Sequence, residues 1–285
     1  CVKLVETGDF IGTIKEFYAI SEGDVLDQNW VDDLFEDLDE KAGLEDLDTD
    51  NRFIMSKYAG TYTWLANTEE WSYSGTPSNQ VIINLPASSS ATTNTLVATL
   101  SSYADVSLPV DGEMIGFPTT IAATLTKNGT TVSSVTVSNM EYEVAANELI
   151  LPIKGNVVIE TSPLTHTFNL DRATPTQFNI AANLETKDNC NWLFEFKVAL
   201  QHSDYENLED EDIAEVSGSI KMDNLSFPFS VEYGALYAID EPTIAQWNQH
   251  FNVDVAWFDV SIGELVFKDS GDPDSPDVMM RYKDG

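Results

Sequence analysis

Residues 120–137 read TIAATLTKNGTTVSSVTV. Two runs that alternate apolar side chains with Thr and Ser flank Asn128-Gly129. A type I′ turn needs φ > 0 at both central residues, and Asn followed by Gly meets that need at little steric cost. The stretch therefore predicts a β-hairpin, with a strand on each side of a two-residue turn.

The same period of two extends in both directions. It begins near Tyr58, where YAGTYTWL and EWSYS are separated by ANTE and read as another hairpin. QVIINL, TLVATLSSY, ELILPI, NVVIE, HTFNL, QFNIAANL, NWLFEFKVAL, EVSGSIKMD, FPFSVEY and ALYAI follow as further strand candidates, and VDVAWFDVSI with ELVFKD closes the series as a hairpin. Many short strands joined by polar turns predict a mainly β protein, either an antiparallel sandwich or a strongly twisted open sheet.

Helical spacing is confined to the ends. Phe10, Ile14, Phe17 and Tyr18 fall on one helix face, as do Trp30, Val31, Leu34, Phe35, Leu38 and Ala42. Asp27 or Asn29 can cap the second helix and Gly43 can end it. A late helix is predicted at EPTIAQWNQHF, where Pro242 suits a first turn and Ile244, Trp247 and Phe251 share a face. The expected organisation is a tether with two amphipathic helices over 1–55 and an antiparallel β domain over 56–285, whole or divided near 160–175.

The charge balance narrows the partners. Against 48 Asp and Glu stand 14 Lys and Arg, a formal net charge of −34. Nucleic-acid binding draws its affinity from Lys and Arg contacts to phosphate, so a nucleic-acid partner is excluded. Eleven of the acids lie between Asp27 and Asp50 with Lys41 as the only base, so charge is concentrated in the elements that cap and join the strands. No run reaches the ~18 apolar residues that a membrane helix needs. Two cysteines 189 positions apart form neither a disulfide framework nor a zinc site. Cys190 reads as a buried apolar side chain in preference to a reactive thiol.

Several clusters carry candidate chemistry. Tyr62 and Trp64 share a strand face, as do Trp71 and Tyr73 on the partner strand. Displayed, these rings would stack on sugars; buried, they would form a cross-strand ladder. Asp46, Asp48 and Asp50 start like an EF-hand loop, but Asn51 replaces the Gly of the sharp turn and Lys57 the bidentate Glu. The reading is a helix-to-strand linker, and no metal is assigned. Asp272, Asp274 and Asp277 form a similar weak set. His202 with Asp204 offers a base and an orienting carboxylate, and no nucleophile motif accompanies them. No catalytic residue and no cofactor is predicted. Gly218 and Pro228 read as strand punctuation, a bulge and an edge position.

Cys1 sets the expected location. Bacterial lipoproteins are cut immediately before a cysteine that then carries lipid. With this residue and its acidic, Thr- and Asn-rich β body, the chain resembles the Bacteroidetes-type envelope lipoproteins. Val2-Lys3-Leu4-Val5 departs from the acidic run that surface-exported members often carry after the cysteine. The resemblance implies lipidation of Cys1 and anchoring at the outer membrane facing either side, and in the absence of features for another activity the leading reading is a non-enzymatic module that binds a glycan, a peptide or an envelope protein. A carrier of an apolar ligand in a curved sheet, similar to the periplasmic lipoprotein-carrier fold, and a carboxylate-dependent glycoside hydrolase are the alternatives.

Overall fold

The structure, a computed structural model, describes residues 52–88, 90–110, 112–145, 149–186, 190–270 and 277–283. The two expected N-terminal helices, Cys1, the Asp46/Asp48/Asp50 set, and Asp272 and Asp274 lie outside the described residues. The protein is mainly β, and its sheet is open, not closed into a barrel.

The chain divides into two units. The first takes the described residues up to Met140 with Val144–Ile150 and Val158–Ser162, and the second takes Glu141–Glu143, Leu151–Val157 and the chain from Pro163 onward. Strand β7 (Ile150–Thr161) contributes to both.

In the first unit a four-residue helix α1 (Met55–Tyr58) leads into β1 (Gly60–Leu65) and β2 (Glu70–Ser74). Then come β3 (Val81–Pro86), β4 (Asn94–Val110), β5 (Glu113–Lys127) and β6 (Thr130–Val144). Their order is β2-β1-β3-β4-β5-β6. The β5–β6 turn is the predicted one, with Asn128 at φ 52° and Gly129 at φ 78°. All pairs with assigned register are antiparallel except β1–β3, which is parallel.

Alternation gives this sheet two different faces. Tyr62, Trp71, Leu85 and Leu96 form a buried cluster, with Trp64, Val81, Ile83 and Leu125 packed against it. The opposite face carries Thr61, Thr63, Ser72, Asn84, Thr99 and Thr124. At the start of the described residues Arg52 Nε donates to Asp105 Oδ1 at 3.1 Å. Phe53 stacks on Tyr58 and meets Tyr103 edge-on, with centroids at 5.1 and 5.0 Å.

The second unit is an antiparallel meander of β8 (Leu164–Thr174), β9 (Gln177–Thr186), β10 (Asn191–Leu200), β11 (Ile213–Met222) and β12 (Leu225–Val231), then β13 (Phe251–Trp257), β14 (Val260–Lys268) and β15 (Asp277–Tyr282). Helices α2 (Tyr233–Tyr237) and α3 (Ile244–His250) lie between β12 and β13. Helix α3 is the predicted late helix. Thr243 caps it through a reciprocal pairing with Gln246, and Pro242 precedes the cap instead of occupying the first turn.

Four expectations need correction. ALYAI is not a strand, since α2 covers most of it and buries Leu236. ELILPI and NVVIE are one strand, β7, which runs through the buried Gly155 without a turn. Gly218 is no bulge, because it keeps regular register with Phe196 and Phe229. Pro228 is not on an edge strand, because β12 pairs with both neighbours. It falls where the β12–β13 register lapses between Ser226 and Phe229, which spares the ladder its missing N–H.

Candidate binding face

The register of the second unit sorts its side chains into rows. One row crosses eight strands: Leu170, Ile180, Phe196, Gly218, Phe229, Val253, Leu265 and Met280. The next position along the strands gives Asp171, Asn179, Lys197, Ser217, Ser230 and Asn252, on the other face. Two positions along from the first row lie Phe168, Ala182, Phe194, Ile220 and Phe227, again apolar. The sheet is thus amphipathic, with aromatic side chains concentrated on β8–β12.

This apolar face is not sealed. Phe194, Phe196, Phe227 and Phe229 are half-buried, and Phe168 is 43% exposed. Gly218 lets the rings of Phe196 and Phe229 approach to 5.7 Å across the strand between them. A Cβ at Gly218 would stand 1.8 Å from the carbonyl oxygen of Glu195. At the far end, α3 places Trp247 against Phe267 at 5.4 Å, and Phe251 meets the same ring at 5.0 Å. Asn248 fixes that helix by accepting from the Phe267 N–H at 2.7 Å and donating to its carbonyl at 2.9 Å.

Charged groups rim the face. Arg172, its side chain 8% exposed, pairs with Glu143, donates to the Tyr205 hydroxyl at 3.2 Å and lies over the Tyr205 ring. The hydrogen bond from this guanidinium holds the Glu143 carboxyl below its ordinary value. A carboxylate depressed in the folded state adds stability above its unfolded pKa and loses it as pH falls through the folded one. The difference in urea midpoint between the wild type and Arg172→Gln is therefore expected to be constant near neutrality. It should shrink as pH drops below ~4, the ordinary carboxylate range. Also on this face is His166, whose imidazole is pushed down by burial.

Several carboxylates elsewhere in the second unit are committed to partners. A cleft of about 410 Å³ is lined by Asp254, Glu264, Arg281, Lys283 and neighbours. Within it Lys283 Nζ donates to Asp254 at 2.8 Å and holds its carboxyl below the usual range, while Arg281 Nε donates to Glu264 at 2.6 Å. A groove of about 350 Å³ on the polar face includes Glu195, which accepts from Lys221 at 3.0 Å and is also held low. Among the described carboxylates with a resolved shift, only Glu209 is raised, through a hydrogen bond with Glu211 on an exposed turn. His202 takes Asp212 as its partner, Nε2 to Oδ1 at 2.9 Å, and its Nδ1 accepts the backbone N–H of Asp204.

The hairpin aromatics are in register, Tyr62 opposite Tyr73 and Trp64 opposite Trp71, with centroids at 4.8 and 5.5 Å. Tyr62 and Trp71 are buried in the core of the first unit, Trp64 is half-buried, and Tyr73 is exposed. Two of the four are therefore not displayed for stacking on a sugar. Tyr73 lies over Gly60 and donates its hydroxyl to the Ala59 carbonyl at 2.9 Å. Cys190 is buried and disulfide-bonded, so it is not a reactive thiol.

The phenylalanines of β8–β12 are absent from the sequence-based candidates. The signal for them was present in WLFEFK, where Phe194 and Phe196 alternate with Glu195 and Lys197. That pattern marks a strand with one wet and one apolar face. Comparison with protein-family models, with curated proteins and with solved structures yields no match.

Proposed function

We propose that this chain is a non-enzymatic binding module of a bacterial cell envelope. Its working surface in this reading is the apolar face of β8–β12. The observation that carries it is the half-open row of Phe168, Phe194, Phe196, Phe227 and Phe229. Contiguous accessible apolar surface of this kind marks interaction sites in soluble proteins. The ligand is an apolar protein or peptide surface of the envelope. A glycan is less well served, because Tyr62 and Trp71 are committed to packing.

Carriage of an apolar small molecule is the second reading, favoured by the position of α3 over the β13–β14 end of the same face. The two separate on extraction of the protein purified from its native envelope. The module reading expects no lipid in stoichiometric amount in the organic phase, whereas one lipid per chain makes the protein a carrier. The intact mass of the same preparation shows whether a cysteine carries lipid, a result that would support the envelope location.

A further inference from the structure

We propose that the tip of the β13–β14 hairpin is a docking knob for a protein partner that offers an apolar pocket rimmed by Lys or Arg. The tip adjoins the β8–β12 face, since Trp257 pairs with Leu225 two positions along β12 from Phe227, but Phe258 lies in the turn and is no part of that face, so Phe258 variants test the tip by itself.

The tip is Trp257-Phe258-Asp259-Val260. Trp257 is 49% exposed, Phe258 62% and Val260 65%. Phe258 and Asp259 form the two-residue turn at φ 50° and 60°, both left-handed. The Asn128-Gly129 turn shows the residues that this geometry ordinarily selects. A bulky side chain at φ > 0 is a conformational outlier, held at an energetic cost. Phe258 returns little of that cost to the fold. Its N–H donates to the Asn224 carbonyl at 2.8 Å, a bond that most residues could make. Its ring meets Trp257 edge-on at 5.5 Å and otherwise faces solvent. An aromatic held in a strained turn and pointed outward is explained by something it touches outside the chain.

Charge decides between a membrane and a protein. Asp259 lies exposed between Phe258 and Val260, and Asp223 sits on the adjoining β11–β12 turn, which the Asn224 bond ties to the tip. Carrying a carboxylate into hydrocarbon is unfavourable, and a chain of net charge −34 is repelled by anionic lipid. A basic rim turns the same carboxylates into attractive contacts. Trp and Phe side chains bury ~150–250 Å² each, enough to anchor a small interface.

The test uses the purified full chain, a short amphipathic Lys/Leu peptide, its Glu/Leu counterpart, and phosphatidylcholine vesicles with and without phosphatidylglycerol. Saturable binding of the Lys/Leu peptide is expected, with none of the Glu/Leu peptide or the vesicles. Phe258→Gly should weaken that binding about tenfold, a change of ~1.4 kcal/mol, while its Tm stays level or rises. A fall in Tm would mean that Phe258 serves the fold. Peptide affinity unchanged in both Phe258→Gly and Trp257→Ser, or vesicle binding lost in those variants, would also overturn the proposal.

Discussion

Gly218→Ala should cost the second unit about 3 kcal/mol or more of stability, far beyond the usual effect of one added methyl group. Overpacking a core costs ~1–3 kcal/mol when neighbouring side chains can turn aside. Here the added Cβ would meet backbone, the Glu195 oxygen at 1.8 Å and its carbonyl carbon at 2.9 Å. Backbone cannot change rotamer, so β10 and β11 must separate locally and the Phe196–Phe229 approach is lost with them. Glycine's own entropic weakness in a strand, ~0.5–1 kcal/mol, works the other way and is too small to compensate. Ser219→Ala is the control. Ser219 faces the polar side and loses only a 3.2 Å bond to Glu195, so about 1 kcal/mol or less is expected. Urea unfolding of the two variants measures the contrast.

Arg52→Ala should destabilise the first unit by about 2–4 kcal/mol. Asp105 is 5% exposed, and its Oδ2 is buried with no hydrogen-bond partner, so Arg52 provides the compensation for its charge. Removing one partner of a buried pair costs ~3–5 kcal/mol, here discounted because the Arg52 side chain is 37% exposed. The effect is asymmetric. Asp105→Ala leaves an arginine that can turn to water, and the double variant should be more stable than Arg52→Ala alone. Gly116 keeps the space for this pair, because a Cβ there would stand 2.7 Å from Asp105 Oδ2 and 3.0 Å from Arg52 Cγ.

What the sequence revealed follows from how local each signal is. The Asn128-Gly129 turn, the Tyr62–Tyr73 and Trp64–Trp71 pairing and helix α3 each depend on residues close along the chain, and each is legible. The parallel β1–β3 pair is not, since it needs the chain to leave β1, form β2 and return on the other side of β1. Helix α2 was misread because five residues fit either period. Its one helical clue was Tyr233 and Tyr237 four apart, and their rings lie 6.1 Å apart in the structure. The half-open apolar face of β8–β12 was hidden for a different reason. Phe194 and Phe196 look like core in any strand, and their partial exposure is set by what the rest of the fold leaves uncovered. Trp71, which the sequence offered either for display or for a buried ladder, is buried by Tyr62, Leu85 and Leu96, one of them contributed from β4.

The central claim is that the β8–β12 face is accessible in the isolated chain and occupied where the protein works. Carbene footprinting with peptide mapping, on the purified protein and on the native envelope, tests it directly. The account expects Phe168, Phe194 and Phe227 to be labelled in the purified chain and protected in the envelope, with Lys197 and Ser217 on the polar face labelled alike in both. Equal labelling of the phenylalanines in the two samples would contradict it.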